Sequence, residues 1–398
     1  MVTVGTVDSR SIIDPIRDGY KFRDSNDYQC AYVTNIDTKK RELTCKSALD
    51  MKDDYDPTPF YTLNYDKLVI GVGAVTNTFN VPGVYEHAYF LKDVDHAHNI
   101  RRKFAINLEK ACQPNISEQE RRRLLQIVVV GGGPTGVEYS GMVYDFMTKD
   151  LKNKYNEIEK YVKVNVYDSG KILSNFDAKL QRKAQKIIHD RNNVNLYEET
   201  GVLRVEKDKV ILSDGSVLPC SIVVWTAGLK PNSLVQQIKD DDACEITVSD
   251  RGFIEVDEFL RTSVNNIYAL GDCSAVVDHP YQQAATVAEQ QGIYLAKGVL
   301  NPNNINLRKK FEFSNPGMLA NLGGHTGLTE LKKSRQMPVA AKFSGVYSWI
   351  VWRGAYLTKL GRWYNRCRVP WDYARTAIWG RDTSFFQKEI RPKFEKKC

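Results

Sequence analysis

Residues 125–138 read Leu-Gln-Ile-Val-Val-Val-Gly-Gly-Gly-Pro-Thr-Gly-Val-Glu, and this stretch decides the fold. The apolar, β-branched run from Leu125 to Val130 predicts a buried strand, and a helix-compatible segment follows the glycines. Gly131 permits a tight turn, Gly133 lets the backbone approach a pyrophosphate, and Gly136 lets the helix pack close to the strand. This order of strand, glycine turn and helix predicts a dinucleotide site at the helix N-terminus.

A second predicted strand, residues 162–167, ends in Asp168. A carboxylate at this position can accept hydrogen bonds from both hydroxyls of an adenosine ribose, which favours NADH over NADPH. Asp168 follows Gly136 by 32 residues, further than the usual spacing of about 20. Because Lys171 lies nearby, the preference between the two cofactors stays open.

Three further apolar strands end in small residues: residues 68–74, 222–228 and 266–272. Small residues at a strand end let the backbone pass close to a bound nucleotide. Ala227, Gly228, Gly73 and Gly271 are the candidates at these ends. Asp272 can hold the ribityl hydroxyls of a flavin, although a Gly-Asp pair after a strand can also be an ordinary loop cap. In this order the chain resembles the two-dinucleotide-binding-domain flavoproteins, in which an NAD domain is inserted into an FAD domain. The resemblance implies that Ala227 and Gly228 contact NAD and that Gly73, Gly271 and Asp272 contact FAD.

The sequence is also similar to the type II (alternative, rotenone-insensitive) NADH:quinone oxidoreductases of fungal, plant and protist mitochondria. The matching segments include residues 4–8, 11–17, 127–138, 288–297, 352–359 and 380–382. The resemblance runs from about Val4 to about Phe385 and implies that NADH reduces FAD, which passes two electrons to a quinone without proton pumping. It also implies a catalytic role for Glu138, the acidic residue after the fingerprint, although helix capping is the alternative.

The sequence departs from this family in two places. Family members begin with a βαβ unit that carries a first Gly-x-Gly-x-x-Gly, and the sequence does not contain it. We therefore expect an N-terminally truncated member that lacks the first FAD-binding unit. The family's Ala-Gln-Val-Ala quinone motif is replaced by residues 285–288, Ala-Thr-Val-Ala, so Ala285 and Thr286 are the candidate quinone residues.

Charge is concentrated at one end of the chain. Residues 342–398 contain 13 Lys or Arg against four Asp or Glu, whereas the whole chain has a net charge of only +8. An acidic partner for this end alone is expected, and anionic lipid is preferred to nucleic acid because no recognised nucleic-acid module accompanies the basic residues. The eight cysteines form no Cys-x-x-Cys pair and no zinc pattern, so we expect free thiols and no metal.

The same C-terminal region is rich in aromatic residues at helical spacing. An amphipathic helix here would lie at a membrane surface, with aromatic rings at headgroup level and basic side chains reaching lipid. The candidate membrane residues are Trp349, Trp352, Arg353, Tyr356, Lys359 and Trp363. A helix pair buried against the protein body or in a homodimer is the alternative. No run of 18 apolar residues predicts a membrane-spanning helix.

The expected architecture is α/β. Its segments are a partial FAD-binding domain (1–100), an NAD(H)-binding domain (101–245), a returning FAD-binding segment (246–330) and a C-terminal membrane-anchoring and quinone-site region (331–398). The resemblance implies a peripheral protein of the mitochondrial inner membrane whose targeting segment is absent from the sequence, with ubiquinone as electron acceptor. Two other functions stay open: a flavin reductase that acts on ferredoxin or a disulfide, and an inactive NAD-binding fragment.

Overall fold

The computed structural model describes residues 1–19, 24, 27–48, 60–241, 243–298, 301, 309–332 and 340–384. The strands are β1 Ala31–Asp37, β2 Glu42–Ser47, β3 Phe60–Asn64, β4 Leu68–Ile70, β5 Ala74–Thr76, β6 Tyr89–Phe90, β7 Gln126–Val130, β8 Lys163–Tyr167, β9 Val194–Tyr197, β10 Val202–Val205, β11 Lys209–Leu212, β12 Val217–Pro219, β13 Ile222–Trp225, β14 Leu229–Pro231, β15 Ile254–Val256, β16 Ile267–Ala269, β17 Ser274–Val276, β18 Gly317–Gly323, β19 Thr326–Leu331 and β20 Ala341–Gly345. The helices are α1 Ile16–Gly19, α2 Val84–His87, α3 Val94–Ala111, α4 Glu118–Leu125, α5 Pro134–Phe146, α6 Lys152–Lys154, α7 Ala178–His189, α8 Ser233–Asp240, α9 Ala285–Lys297, α10 Val346–Lys359 and α11 Trp363–Trp379.

A five-stranded parallel sheet of order β6-β13-β7-β8-β9 forms the first body of the protein. Residues 127–130 of β7 and all of β13 are buried, because α3 and α5 cover one face of the sheet and the β10–β11–β12 sheet packs against the other. The expected strand at 125–130 is present one residue shorter, since Leu125 closes α4. Helix α5 starts with Pro134, whose missing N–H costs nothing in the first turn, and continues as a π-helix over Met147–Leu151.

The second body contains the strands that were expected to belong to the FAD side. The pairs β4–β16 and β15–β17 are parallel, and β5–β14 is antiparallel. A separate apolar cluster contains residues of the two parallel pairs, Ile70, Ile254 and Ile267, together with Val235 of α8. Two further clusters lie on the two faces of the five-stranded sheet, so the two bodies have separate cores, as an inserted domain requires.

An antiparallel sheet, β18-β19-β20, packs on the fingerprint helix α5. The contact is so close that a Cβ atom on Gly141 would lie 2.4 Å from the carbonyl oxygen of Leu322. A Cβ atom on Gly323 would lie 2.2 Å from the carbonyl oxygen of Gly141. Two glycines therefore let the helix and the β18–β19 turn meet backbone to backbone. The expected domain boundaries at residues 100 and 330 fall inside α3 and β19, so neither is a natural division.

The C-terminal region consists of two helices and not one. Helix α10 ends at Lys359, and Leu360, Gly361 and Arg362 separate it from α11. Trp363 therefore opens the second helix, so the six candidate membrane residues do not lie on the single amphipathic helix that was expected. Within the described residues no helix combines the length and the apolar character needed to span a membrane. The seven described cysteines are free thiols, and Cys398 lies outside the described residues.

Candidate functional site

The glycine turn after β7 has the geometry of a phosphate-binding loop. Gly131 has a φ of +109°, and a Cβ atom there would lie 2.8 Å from the backbone nitrogen of Ala227. A Cβ atom on Gly136 would lie 2.0 Å from the carbonyl oxygen of Gly131. Gly133, in contrast, has nothing within 4 Å of its Cβ position, and no side chain caps the N-terminus of α5 there. The open space and the unpaired N–H groups both suit a pyrophosphate.

Asp168 lies at the end of β8, beside this turn. Its Oδ2 accepts a hydrogen bond from the backbone N–H of Gly132 at 2.6 Å, and its Oδ1 accepts one from Gly170 at 2.7 Å. The carboxylate therefore shapes the glycine turn in addition to its expected role toward a ribose. Each oxygen keeps a further lone pair for a ribose hydroxyl.

The residues expected on the flavin side gather at the ends of β4 and β16. Gly73 has a φ of +66° and nothing within 4 Å of its Cβ position. The N–H of Gly271 donates to Oε1 of Gln291 at 2.7 Å, which fixes the strand end against α9. Within the described part of the chain, no hydrogen bond or ion pair engages the carboxylate of Asp272. A free carboxylate next to open backbone can bind ribityl hydroxyls.

A largely apolar cavity of about 450 Å³ lies between α5, α10 and α11. Glu138 and Thr135 of α5, Lys92, Tyr356 of α10 and Tyr373 of α11 are among its lining residues. Lys92 donates a short hydrogen bond to the carbonyl oxygen of Ala74, at the start of β5. The cavity thus joins the dinucleotide helix, the flavin-side strands and the C-terminal helices.

Glu138 lies deep in the protein, although part of its surface faces this cavity. Its Oε1 accepts a hydrogen bond from the indole N–H of Trp352 at 2.7 Å and one from the backbone N–H of Asn321 at 3.1 Å. Burial raises the pKa of Glu138 to about 7, against the opposing effect of these two hydrogen bonds. A carboxyl group with this pKa can exchange a proton with a substrate at neutral pH.

Sequence reasoning missed two partners of this carboxyl group. Trp352 was assigned to the membrane surface, but it is only 1% exposed and its ring contacts Glu138 and Tyr356, so that assignment was wrong. Asn321 acts through its backbone, which no side-chain pattern reports. Lys92 lies in the expected partial FAD-binding domain, in a segment that matches the family, but no role was assigned to its side chain.

The raised pKa of Glu138 predicts a pH-dependent stability difference between the protein and its Glu138→Gln variant. The folded protein holds the proton up to about pH 7, whereas the unfolded chain loses it near pH 4.5. The free energy of unfolding therefore falls as pH rises between these values, by at most about 3 kcal/mol. We expect equal melting temperatures near pH 4.5 and a higher one for the variant at pH 8. A variant that melts at the wild-type temperature at pH 8 would contradict this assignment.

The other candidate membrane residues divide into two groups. Tyr356, Lys359 and Trp363 are exposed, and Lys359 also forms an ion pair with Glu289 of α9. Trp349 and Arg353 are half-buried instead, because the Arg353 guanidinium lies 3.8 Å from the ring centres of both Trp349 and Tyr373. The Arg353 guanidinium therefore lies between two aromatic rings and does not extend freely from the helix surface.

The candidate quinone residues lie in the first turn of α9. Ala285 is exposed and Thr286 is half-buried, and neither lines the cavity beside Glu138. The ion pair between Glu289 and Lys359 links α9 to the end of α10, whose residues do line that cavity. The structure thus brings α9 to the helix that borders the cavity but does not bring these two side chains into it.

Comparison with known proteins identifies the family of this chain. The model of the pyridine nucleotide-disulphide oxidoreductases matches residues 8–292. The internal alternative NAD(P)H-ubiquinone oxidoreductase A1 of Solanum tuberosum mitochondria is 36% identical, over 96% of this chain and 79% of its own. The external NADH-ubiquinone oxidoreductase 2 of Saccharomyces cerevisiae mitochondria is 31% identical, over 96% of this chain and 74% of its own.

Among solved structures, NDH2 from Plasmodium falciparum in complex with NADH superimposes with a TM-score of 0.85 and 24% identity. The match covers 96% of this chain and 91% of that one, and it confirms the expected fold of two dinucleotide-binding domains. The family expected from the sequence is confirmed as well. The chain belongs to the pyridine nucleotide-disulphide oxidoreductases and, within them, to the type II NADH dehydrogenases, the alternative NADH-ubiquinone oxidoreductases.

Proposed function

We propose that this protein oxidises NADH and passes two electrons, through FAD, to a membrane quinone without pumping protons. The observation that carries the proposal is the cavity in which Glu138 of the dinucleotide helix faces residues of the C-terminal helices. An enzyme of this kind needs dinucleotide, flavin and quinone to approach one point. In this chain the dinucleotide helix and the C-terminal helices border one cavity of about 450 Å³, and Lys92 of its lining donates a hydrogen bond to Ala74 of the flavin-side strand β5.

NADH binds at the glycine turn in this proposal. Gly131, Gly133 and Gly136 form the pyrophosphate loop, and Asp168 accepts hydrogen bonds from the adenosine ribose. The strand that ends in Ala227 and Gly228 closes the other side of the turn, as the 2.8 Å approach between Ala227 and a Cβ on Gly131 supports.

The ends of β4 and β16 suit the ribityl chain and the ring of FAD. The open Gly73, the free carboxylate of Asp272 and the N-terminus of α9, which no side chain caps, lie beside Gly271. FAD, when bound, supplies the acceptor for hydride and the donor for the quinone. Lys92, whose ammonium group lies at the carbonyl of Ala74, would face the ring with a positive charge.

Glu138 handles a proton in this proposal. Reduction of a quinone to a quinol takes up two protons with the two electrons, so a proton donor near the acceptor lowers the barrier. With its pKa raised to about 7, Glu138 can both hold and release a proton near neutral pH. Ala285 and Thr286, on the helix linked to α10, would contact the quinone as it enters.

The two C-terminal helices form the membrane-binding surface in this proposal. Ten of their large apolar or aromatic side chains are exposed: Val346, Tyr347, Ile350, Val351, Tyr356, Trp363, Tyr364, Trp371, Ile378 and Trp379. Basic residues beside them, with Lys359 and Arg366 among the exposed ones, favour anionic lipid. We place the protein in the mitochondrion, as a peripheral protein of the inner membrane. The alternative is that the exposed surface of the two helices contacts a second copy of the chain. A mass of two chains in detergent-free buffer would support such a homodimer.

The division into FAD-binding segments (1–100 and 246–330), an NAD-binding domain (101–245) and a C-terminal membrane region (331–398) belongs to the proposal. The parallel sheet supports it, because four of its five strands fall within 101–245. Residues 100 and 330 lie inside α3 and β19, which favours domain boundaries at the ends of these two elements.

The proposal is tested by purifying the chain with added FAD and measuring NADH oxidation anaerobically with different acceptors. We expect NADH to bleach the flavin absorbance and a short-chain ubiquinone to restore it. Faster reoxidation by ferredoxin or by a disulfide would overturn the quinone assignment. A protein that binds NADH but retains no flavin would show that this chain is not an autonomous enzyme.

A further inference from the structure

A second cavity, of about 770 Å³, lies beside the first half of α10, next to the proposed reaction site, and Tyr373 borders both cavities. The π-helical turn after α5, the β18–β19 turn, α10 and the end of α11 surround it. Its lining includes four basic side chains, Lys149, Lys154, Arg353 and Arg381, and the imidazole of His325. Nothing in the proposed electron transfer uses these groups.

The carboxylates of this cavity are already engaged. Asp150 forms an ion pair with Arg381 at 2.5 Å and accepts its backbone N–H at 2.7 Å. Asp145 accepts the N–H of Gly324 at 2.6 Å and lies 4.0 Å from Arg381. Among the described residues, no carboxylate lies within ion-pair distance of the remaining three cations. The cavity therefore has an excess of positive charge.

Two of the cations are held in place without an acidic partner. The guanidinium of Arg353 lies between the rings of Trp349 and Tyr373, and burial lowers its pKa. No described group accepts a hydrogen bond from its N–H groups. The ammonium group of Lys149 lies 2.6 Å from Nε2 of His325, and burial together with Lys149 lowers the pKa of that imidazole. A neutral His325 leaves the Lys149 charge uncompensated.

The mouth of the cavity is apolar and belongs to the proposed membrane surface. Ile378 and Trp379 line the cavity, and both are 68% exposed. A ligand with an anionic group and hydrocarbon chains would match both the basic interior of the cavity and its apolar mouth. Phosphate oxygens accept hydrogen bonds from arginine and lysine, and acyl chains pack on exposed tryptophan and isoleucine.

We propose that this cavity, defined by Lys149, Lys154, His325 and Arg353, binds the phosphate group of one anionic membrane phospholipid. The proposal rests on the proposed membrane placement of α10 and α11, and it adds a discrete site with one headgroup per chain. Such a site anchors α10 at a fixed depth through Arg353, next to Trp352, which contacts Glu138.

The experiment is calorimetric titration of the full chain with dihexanoyl phosphatidylglycerol below its micelle concentration. We expect saturable binding of one lipid per chain, weakened by about 5-fold or more in Lys149→Gln, since a charged hydrogen bond contributes roughly 1 kcal/mol or more. Lys152→Gln, three residues along and outside the cavity, is the matched control and should bind as the wild type. Equal weakening in both variants would show diffuse attraction to the basic surface and overturn the site.

Two further measurements are needed. One distinguishes a phospholipid from free phosphate as the ligand, and the other distinguishes failure of the lipid site from failure of the membrane placement. Inorganic phosphate should bind more weakly than the lipid, because it cannot contact Ile378 and Trp379. Equal affinity would overturn the lipid assignment in favour of a free anion. Sedimentation with neutral phosphatidylcholine vesicles tests the membrane placement alone. If vesicles fail to bind while the soluble lipid still depends on Lys149, the membrane proposal fails and the site stands.

Discussion

Replacement of Glu138 by Gln lowers the rate of quinone reduction by about 100-fold or more, within the usual range for loss of a proton-transferring group. Gln keeps the shape of the side chain and still accepts hydrogen bonds from Trp352 and Asn321, so the cavity is preserved. It cannot deliver a proton. The measurement is the steady-state kcat for a short-chain ubiquinone with the FAD-loaded protein, and the affinity for NADH should not change.

The pH profile gives the same prediction an independent readout. In the wild type we expect kcat to fall above about pH 7, as Glu138 with its pKa of about 7 loses the proton that it donates. In Glu138→Gln, kcat should not fall in this pH range. Glu157→Gln, at an exposed carboxylate, is the control and should keep the wild-type profile. A Glu138 variant that retains more than half of the wild-type rate would rule out the proton-donor role.

Two glycines of the fingerprint, replaced by Ala, should give opposite results in stability and binding. Gly133→Ala places a methyl group in space that no protein atom occupies, so the melting temperature should not change. The same methyl group fills the space in which the pyrophosphate would contact the backbone. We therefore expect the Kd for NADH to rise about 10-fold, which corresponds to roughly 1.4 kcal/mol of binding free energy. Both quantities are measurable on one preparation, by thermal denaturation and by quenching of tryptophan fluorescence.

Gly136→Ala behaves differently because its Cβ atom would lie 2.0 Å from the carbonyl oxygen of Gly131. The helix and the turn must then separate, and we expect the free energy of unfolding to fall by about 1–3 kcal/mol. Gly292→Ala, in α9 with no neighbour within 4 Å, is the control and should be neutral or stabilising. If Gly133→Ala and Gly136→Ala destabilise equally, the turn does not have the geometry described here.

The strands and the dinucleotide turn could be predicted because their information is local. Apolar β-branched residues next to glycines indicate a parallel strand and its turn, and β7 and β8 end at the expected residues. Strand β13 ends at Trp225, three residues before the expected end at Gly228. The carboxylate after the fingerprint was also identifiable from its place in the motif. Its raised pKa was not, since that depends on Asn321 and Trp352, which the fold brings from far along the chain.

The C-terminal region shows where a pattern has two interpretations. Aromatic residues at helical spacing suit both a membrane surface and a protein core, and only the packing of α10 on β19 decides that Trp352 is buried while Tyr347 is exposed. The break before α11 had a signal, because Gly361 interrupts the helical pattern. The cation between two aromatic rings at Arg353 had none, since Tyr373 lies 20 residues away on the other helix.

The hydrogen bond between Glu138 and Trp352 joins residues that are 214 positions apart in the sequence. During synthesis the glycine turn and Glu138 leave the ribosome long before α10 does. A nascent chain that has folded its parallel sheet can bind NADH, but its Glu138 is still an ordinary solvated carboxylate with a proton affinity unsuited to neutral pH. For the proposed function, the order of translation therefore separates the two halves of the chemistry: nucleotide recognition would mature early, and competence to handle a proton would arrive only with the last part of the polypeptide.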